Sequence, residues 1–342
     1  MVANDPGYRV LDGEDRSRLL DPERDFAFEV LMGLSEAPKR LPSRYFYDDA
    51  GSEIFQRIMG LDEYYLTRCE TEILERHGRE IALAVAGRPL NVVDLGAGDG
   101  AKTVLLLEHL RAVGADFRYV PIDISEGAMR EAVRSVRQRV PGVCVEGVLS
   151  EYTDGVRWLG VHHADRRNLV LFLGSNIGNF DRARARGFLR RLWTALRPDD
   201  FVLVGFDLKK DIDRLLAAYN DEDGVTAELN LNLLARINRE LGGHFDVGRF
   251  RHFGTYDVFS GAMASYLVSL ERQSVRIDAL EATFAFEPWE PVHTEYSYKY
   301  LESDVESLAR DTGFLIERAY HDERRWFTDS LWSAGKGSTE PV

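Results

Sequence analysis

The stretch VVDLGAGDG, residues 92–100, limits the fold of this chain more than any other segment. Val92, Val93 and Leu95 make a short apolar strand that runs into Gly96-Ala97-Gly98, where missing side chains let the backbone turn tightly and approach a ligand. Val104, Leu105 and Leu107 then open an amphipathic helix, whose first N–H groups have no partner inside the helix. A buried strand, a glycine turn and a helix make one βα unit, and repeated units build a parallel sheet.

The unit does repeat between residues 66 and 206. Thr67 and Glu70 have the spacing of a capping box for a helix running towards Ala86. A second strand is expected at 119–124, and Ser125 N-caps a helix with the apolar stripe Met129, Ala132, Val133, Val136 and Val140. Strands at 143–149, 169–173 and 201–206 complete a set of five. The rhythm then breaks. Residues 217–241 read as one helix, and 262–270, 283–286 and 294–300 as strands of an antiparallel sheet. A helix at 301–312 and strands at 313–320 and 326–332, joined by the polar loop HDERR, close the pattern. That ending resembles the sixth and seventh strands of class I methyltransferases.

The expected fold is therefore α/β: a class I, Rossmann-like methyltransferase core with a seven-stranded sheet, plus a second, mixed α+β substrate-binding domain. The core takes residues 66–206 and 301–342, and the second domain 20–65 and 207–300. Residues 1–19 stand apart as an N-terminal segment free to move. No apolar run approaches the roughly 20 residues that cross a bilayer, and the acidic N-terminus has no signal-peptide core. Two cysteines, Cys69 and Cys144, make neither a disulfide framework nor a metal-ligand cluster, so a cytoplasmic protein without a metal is expected. The net charge of −14, from 57 acids and 43 bases, counts against a nucleic-acid partner. Arg182, Arg186 and Arg190 recur at helical spacing as a solvated face, and His162 and His163 read as exposed bystanders. A monomer with a small-molecule substrate fits these features.

The glycine loop alone leaves its ligand open. Gly96, Gly98 and Ala101 also satisfy the G-x-G-x-x-A form of the dinucleotide fingerprint, so a nicotinamide dehydrogenase and a methyltransferase share this feature. Both want an acid at the end of the second strand to accept from ribose hydroxyls, and Asp123 in PIDIS stands there. Asp94 before the loop resembles the methyltransferase pattern of acid, apolar residue and Gly-x-Gly, which favours S-adenosylmethionine. Past the third strand, the Glu151 carboxylate can accept the adenine amino group while the Tyr152 ring packs on its face.

Longer stretches are more specific. LPSRYFYDDAGSEIFQRIMGLDEYYLTRCETEIL (41–74), FLGSNIGNF (172–180), AAYNDEDGVTAELNLNLLARINRELGGHFD (217–246) and HTEYSYKY (293–300) together resemble the histidine Nα-methyltransferase family of the ergothioneine pathway. The resemblance spans residues 41–332 in unbroken order. It implies cofactor contacts at Gly96, Gly98, Lys102, Asp123, Glu151 and Tyr152. It implies substrate contacts at Tyr47 and Tyr64, which border the amine, at Asn179 and Tyr219, which hold the backbone end, and at Glu295, Tyr296 and Ser297. Glu295 and Ser297 recognise the imidazole, which is chemically sensible. A strand puts both on one face, where a carboxylate and a hydroxyl can engage the two ring nitrogens.

The chain also departs from the family. Met263-Ala264-Ser265 stands where the family usually carries Ile-Glu-Met, so Ser265 changes a wall of the side-chain pocket and leaves room for a different substrate. Glu151 and Tyr152 replace Asp and Phe, and Asp99-Gly100-Ala101 replaces a Thr/Ser-rich end of the loop. The implied reaction is methylation, up to three times, of the α-amino group of a free amino acid, histidine first. A binding protein that has lost transfer is the other alternative.

Overall fold

In the computed structural model, residues 8–10, 22–162 and 165–336 are described. The expected exposure of His162 and His163 lies outside the described side chains. Strands are β1 (Tyr8–Val10), β2 (Leu90–Leu95), β3 (Phe117–Asp123), β4 (Cys144–Val145), β5 (Gly147–Leu149), β6 (Arg167–Phe172), β7 (Phe201–Asp207), β8 (Phe250–Asp257), β9 (Ala262–Ser269), β10 (Gln273–Ile277), β11 (Ala282–Phe286), β12 (Pro291–Tyr298), β13 (Leu315–His321) and β14 (Phe327–Ser333). The chain divides into two compact units. Residues 8–10, 66–209 and 299–336 belong to the first, and residues 22–65 and 210–298 to the second.

The first unit is built on one sheet in the order β1-β5-β3-β2-β6-β7-β14-β13, with β4 also pairing β3. Strands β1 to β7 pair in parallel, and the closing hairpin of β13 and β14 joins β7 antiparallel. Every residue of β2 is buried, as befits a central strand with both faces covered. The sheet is larger than the seven strands expected. Residues 8–10 add a parallel edge strand beside β5, and the strand expected at 143–149 is broken into β4 and β5. The helix expected to be capped by Thr67 and Glu70 starts earlier and runs Tyr65–Val85. Glu70 therefore lies past its first turn and is fully buried.

A polar ladder locks the lower ends of three strands. Asn91 Nδ2 of β2 donates to Asn168 Oδ1 of β6 at 2.8 Å. Asp200, fully buried just before β7, accepts from the backbone N and Nδ2 of Asn168 at 2.7 and 2.9 Å, and from Arg197 N at 2.8 Å. Asn and Asp inside a sheet are tolerable because their polar atoms find one another.

In the second unit the helix Val225–Leu241 packs on β8 and β9 of the sheet β12-β9-β8, the helix Asp49–Met59 packs on that helix, and the helix Pro22–Ser35 lies against β11 of a separate β10–β11 hairpin. The core of this unit includes Phe26, Val30, Phe46, Ile54, Leu233, Ile237, Leu267 and Phe286. The single helix expected at 217–241 is two, Ile212–Tyr219 and Val225–Leu241. Asp221 stops the first from continuing, because its carboxylate accepts from Val225 N and Thr226 N at 2.7 and 2.8 Å. Gly224 supplies the left-handed turn, φ 73°, that starts the second. The strands expected as one antiparallel sheet also separate, since β11 pairs with β10 and not with β9 or β12.

Asp200→Ala strips the partners from several buried N–H groups of the ladder, and each costs about 1–3 kcal/mol when orphaned. The expected loss is roughly 3 kcal/mol, read as a lower urea midpoint; a midpoint equal to wild type would show that the ladder does not hold the strands.

Candidate active site

The turn after β2 is built from three left-handed glycines, Gly96 at φ 77°, Gly98 at φ 56° and Gly100 at φ 70°. Side chains are excluded by more than backbone strain. A Cβ at Gly96 would lie 2.6 Å from the Tyr152 hydroxyl and 3.0 Å from Asn176 Nδ2, and one at Gly100 would press on the Ala132 backbone at 3.2 Å. At Gly98 a Cβ would meet nothing within 4 Å among the described residues, so the turn is open on that side.

Two buried carboxylates hold this turn. Asp123, at the end of β3, accepts from Gly98 N at 3.0 Å and from Ser125 N at 2.9 Å. Burial raises its pKa, against the pull of the Ser125, Gly98 and Ile124 N–H groups. Asp94 accepts from Thr103 Oγ1 at 2.6 Å and Tyr119 OH at 2.8 Å. Burial pushes Asp94 up to about 6, although both hydroxyls favour its charge. Tyr152 starts the helix Tyr152–His162, packs edge-on to Phe172 at 5.3 Å and has a pKa raised by burial and then by Asp123 and Asp94. Gly96, Gly98, Asp123 and Tyr152 are thus brought together, while Glu151 beside them is exposed.

Lys102, expected as a cofactor contact, pairs with a buried acid of the preceding helix. Its ammonium pairs with Glu70, whose carboxylate also accepts from Gly174 N at 2.7 and 3.0 Å. Gly174 opens the loop GSNIGN. Its next residue, Ser175, holds the left-handed φ of 55°, uncommon for a side chain with a Cβ. Ser175 Oγ accepts from Asp207 N at 3.1 Å, which fixes the loop from the β7 side. Asn179 ends the short 3-10 helix Asn176–Asn179 and is exposed. Asn176, whose amide lies against Gly96, was not among the expected contacts; the unusual Ser175 conformation that turns it there leaves no mark in the sequence.

A cofactor of adenosine type suits these residues. The open glycine turn admits close approach, and the Asp123 carboxylate has lone pairs for a ribose diol beyond the N–H bonds it accepts. Tyr152 offers a ring and a hydroxyl above Gly96.

In the second unit, β12 pairs with β9 so that Glu295 lies opposite Ser265 and Ser297 opposite Met263. These four share one face of the sheet. Ser265, Met263 and Ser297 are buried, and Glu295 is half-buried. Tyr219 donates its hydroxyl hydrogen to Ser297 Oγ at 2.8 Å. The helix end carrying Tyr219 is pinned to β8: Asn220 donates to Gly254 O at 3.0 Å and accepts from Gly254 N at 2.9 Å. A Cβ at Gly254 would reach Tyr219 O and Asn220 at 3.0 Å, so glycine is required there. His252 adds a bond to Tyr219 O at 3.0 Å. Neither Asn220 nor Gly254 was expected to matter; the signal is the AAYND motif, whose three polar residues each have a partner.

Tyr219 was expected at the backbone end of a substrate; its hydroxyl bonds Ser297, which was expected at the side-chain end. Tyr296 is not brought to Glu295 and Ser297. It faces the other way, opposite Ala264, and stacks on His293 with ring centroids 4.0 Å apart. Tyr47 and Tyr64 come together through Phe55, which each meets edge-on, at 5.4 and 6.1 Å.

A family model described as histidine-specific, S-adenosylmethionine-dependent methyltransferase matches residues 26–334. The histidine N-alpha-methyltransferase of Mycobacterium tuberculosis is 37% identical over 307 residues, 90% of this chain and 92% of that protein. That of Mycolicibacterium smegmatis is 38% identical over 308 residues, with the same coverage of 90% and 92%. Ergothioneine biosynthesis protein 1 of Neurospora crassa is 32% identical over 297 residues, 84% of this chain but 33% of its own length.

The buried Asp94 makes stability depend on pH. Its folded pKa of about 6 lies above the ordinary 3.8, so the fold favours the neutral acid and loses stability as pH rises from about 4 through about 6. The shift corresponds to about 3 kcal/mol. Asp94→Asn should therefore gain stability over wild type as pH rises, levelling off above about pH 7, in urea titrations; parallel profiles would place the charge elsewhere.

Proposed function

Because the chain belongs to the family of S-adenosylmethionine-dependent, histidine-specific methyltransferases, we propose that it methylates the α-amino nitrogen of free L-histidine, up to the trimethylated product. The observation that carries the substrate is the pairing of Glu295 and Ser297 on one face of β12, with Tyr219 bound to the serine. A hydroxyl such as that of Ser297 can serve a bare imidazole nitrogen, while a carboxylate such as that of Glu295 accepts from the ring N–H. The small Ser265 opposite Glu295 leaves room for a ring.

S-adenosylmethionine supplies an electrophilic methyl group on a sulfonium. Gly96, Gly98, Asp123, Glu151 and Tyr152 would hold its nucleoside part, and Lys102 its amino-acid end. The residues of this chain do the positioning, the main requirement of an in-line transfer. Asn179 offers both donor and acceptor to an α-carboxylate beside an amine. Tyr219 is a second donor to that carboxylate when its hydrogen turns from Ser297. Tyr47 and Tyr64 border the amine with ring faces that tolerate the cation growing with each methylation. The amine must lose its proton before each transfer, and nearby tyrosine oxygens accept its N–H bonds.

The negative charge of −14 supports a free amino acid over a nucleic acid as substrate. Among the described residues no helix is long and apolar enough to cross a membrane. The relatives' names support action at the methylation step of ergothioneine formation, and a cytoplasmic monomer is the setting we infer from composition and charge alone.

Incubation with S-adenosylmethionine and each standard amino acid in turn, read by mass spectrometry, tests the reading. L-histidine should gain up to three methyl groups, and a different amino acid reacting in its place would trace to Ser265. Binding of the cofactor without any turnover would mark a binding protein, and a preference for NADH a dehydrogenase. In the same assay Glu295→Ala should lower kcat/KM for histidine about 10- to 100-fold, the worth of a charged hydrogen bond of about 1.5–3 kcal/mol. Activity on an apolar amino acid should change little. Equal losses on both would refute the imidazole role.

A further inference from the structure

Glu70 is a buried acid of the first unit to which the proposed reaction assigns no role. It is fully buried on the helix Tyr65–Val85, and its carboxylate has two kinds of partner. One is the Lys102 ammonium. The other is the backbone N–H of Gly174, which points at both oxygens, 2.7 and 3.0 Å away. Gly174 is also close to the lysine, since a Cβ there would stand 3.4 Å from Lys102 Nζ. Glu70 packs so tightly on β7 that a Cβ at Gly205 would fall 2.4 Å from its Oε1 and 3.2 Å from the buried Asp329 Oδ1.

A buried carboxylate is costly to desolvate and persists only when paired and hydrogen-bonded. Here its pairing joins two things that the reaction uses. Lys102 is the residue assigned to the amino-acid end of S-adenosylmethionine. Gly174 is the first residue of the loop that carries Ser175 in its left-handed conformation, Asn176 against Gly96, and Asn179 at its end. Movement of the lysine towards or away from a ligand is therefore felt at the N–H that anchors the Asn179 loop. Asp329 adds an asymmetry. It lies fully buried beside Glu70, and burial followed by the Glu70 charge holds its pKa well above the ordinary range. The raised pKa favours the neutral form of Asp329 beside the Glu70–Lys102 pair.

We propose that Glu70 is a positioning residue that sets the cofactor lysine and the substrate-holding loop with one carboxylate, and so couples binding of the two ligands. The proposal rests on the reading of Lys102 as a cofactor contact. Glu70→Gln separates the two links, because an amide oxygen still accepts from Gly174 N while the attraction for Lys102 is gone. Glu70→Ala removes both.

The test measures S-adenosylhomocysteine affinity by calorimetry, with and without L-histidine, in wild type, Glu70→Gln, Lys102→Met and the double variant, together with steady-state kinetics. Glu70→Gln should weaken S-adenosylhomocysteine about tenfold in the wild-type background and less than twofold in the Lys102→Met background. Wild type should show mutual tightening of the two ligands, and Glu70→Gln should abolish it. Glu70→Ala should add a rise in KM for histidine that exceeds its loss of kcat; if that variant does not fold, the isosteric Glu70→Gln carries the test alone. Unchanged affinity in Glu70→Gln, or an equal loss in both backgrounds, overturns the coupling role. If Lys102→Met weakens binding and Glu70→Gln does not, this inference fails while the lysine assignment stands. If Lys102→Met binds like wild type, the lysine assignment fails and the coupling fails with it.

Discussion

The left-handed turn at Gly96, Gly98 and Gly100 is the constraint on which the first unit depends. It ends the most deeply buried strand of the sheet and starts the next helix, and no side chain fits at Gly96 or Gly100. A turn with so few side chains has little of its own to hold it. The holding is done from beneath and beside by Asp94, which gathers Thr103 and Tyr119, and by Asp123, which takes the N–H of Gly98. Both acids are desolvated there, and desolvation raises the pKa of each. A neighbouring sulfonium would favour the charged form of both, so a free-energy cost in the empty protein becomes a preference for a cationic ligand.

On the proposed reading, the two units would recognise their ligands by different means. The first uses backbone shape, with glycines, strand ends and an N–H-lined turn, and it can be reused for any adenosine-bearing cofactor. The second uses side chains on an antiparallel sheet, where alternation gathers Glu295, Ser297, Ser265 and Met263 on one face. Specificity is therefore concentrated in a few replaceable residues. On that reading a change such as Ser265 would alter which side chain fits without disturbing the sheet, because the ladder of β8, β9 and β12 is made by backbone atoms.

Much of the first unit was legible because its signals are local. Short apolar runs bounded by glycine or charge mark β2, β3, β6 and β7, and the HDERR loop marks the hairpin of β13 and β14. What escaped depends on partners distant in sequence. Strand β8 reads as a mixture of charge, histidine and glycine, yet Phe250, His252 and Gly254 alternate as its buried face. The helix break near Asp221 was hidden because the good helix formers on either side mask a cap that acts only in three dimensions. Glu70 looked like a capping residue from its spacing with Thr67, but burial against Gly205 and Lys102 gives it a different task. Among the expected site residues, Gly96, Gly98, Asp123 and Tyr152 meet because they follow successive strand ends. Tyr296 does not join Glu295, since neighbours on a strand face opposite ways.

The central claim is that the chain directs methyl groups to the α-nitrogen of an amino acid held by its side chain and carboxylate. Imidazole nitrogens are the competing nucleophiles in histidine, and the proposed engagement by Glu295 and Ser297 would withdraw both from reaction. The direct measurement is carbon NMR of the product formed from L-histidine and S-adenosylmethionine labelled with 13C at the methyl group. All label should appear as methylammonium carbons on the α-nitrogen. Label on a ring nitrogen would contradict the account.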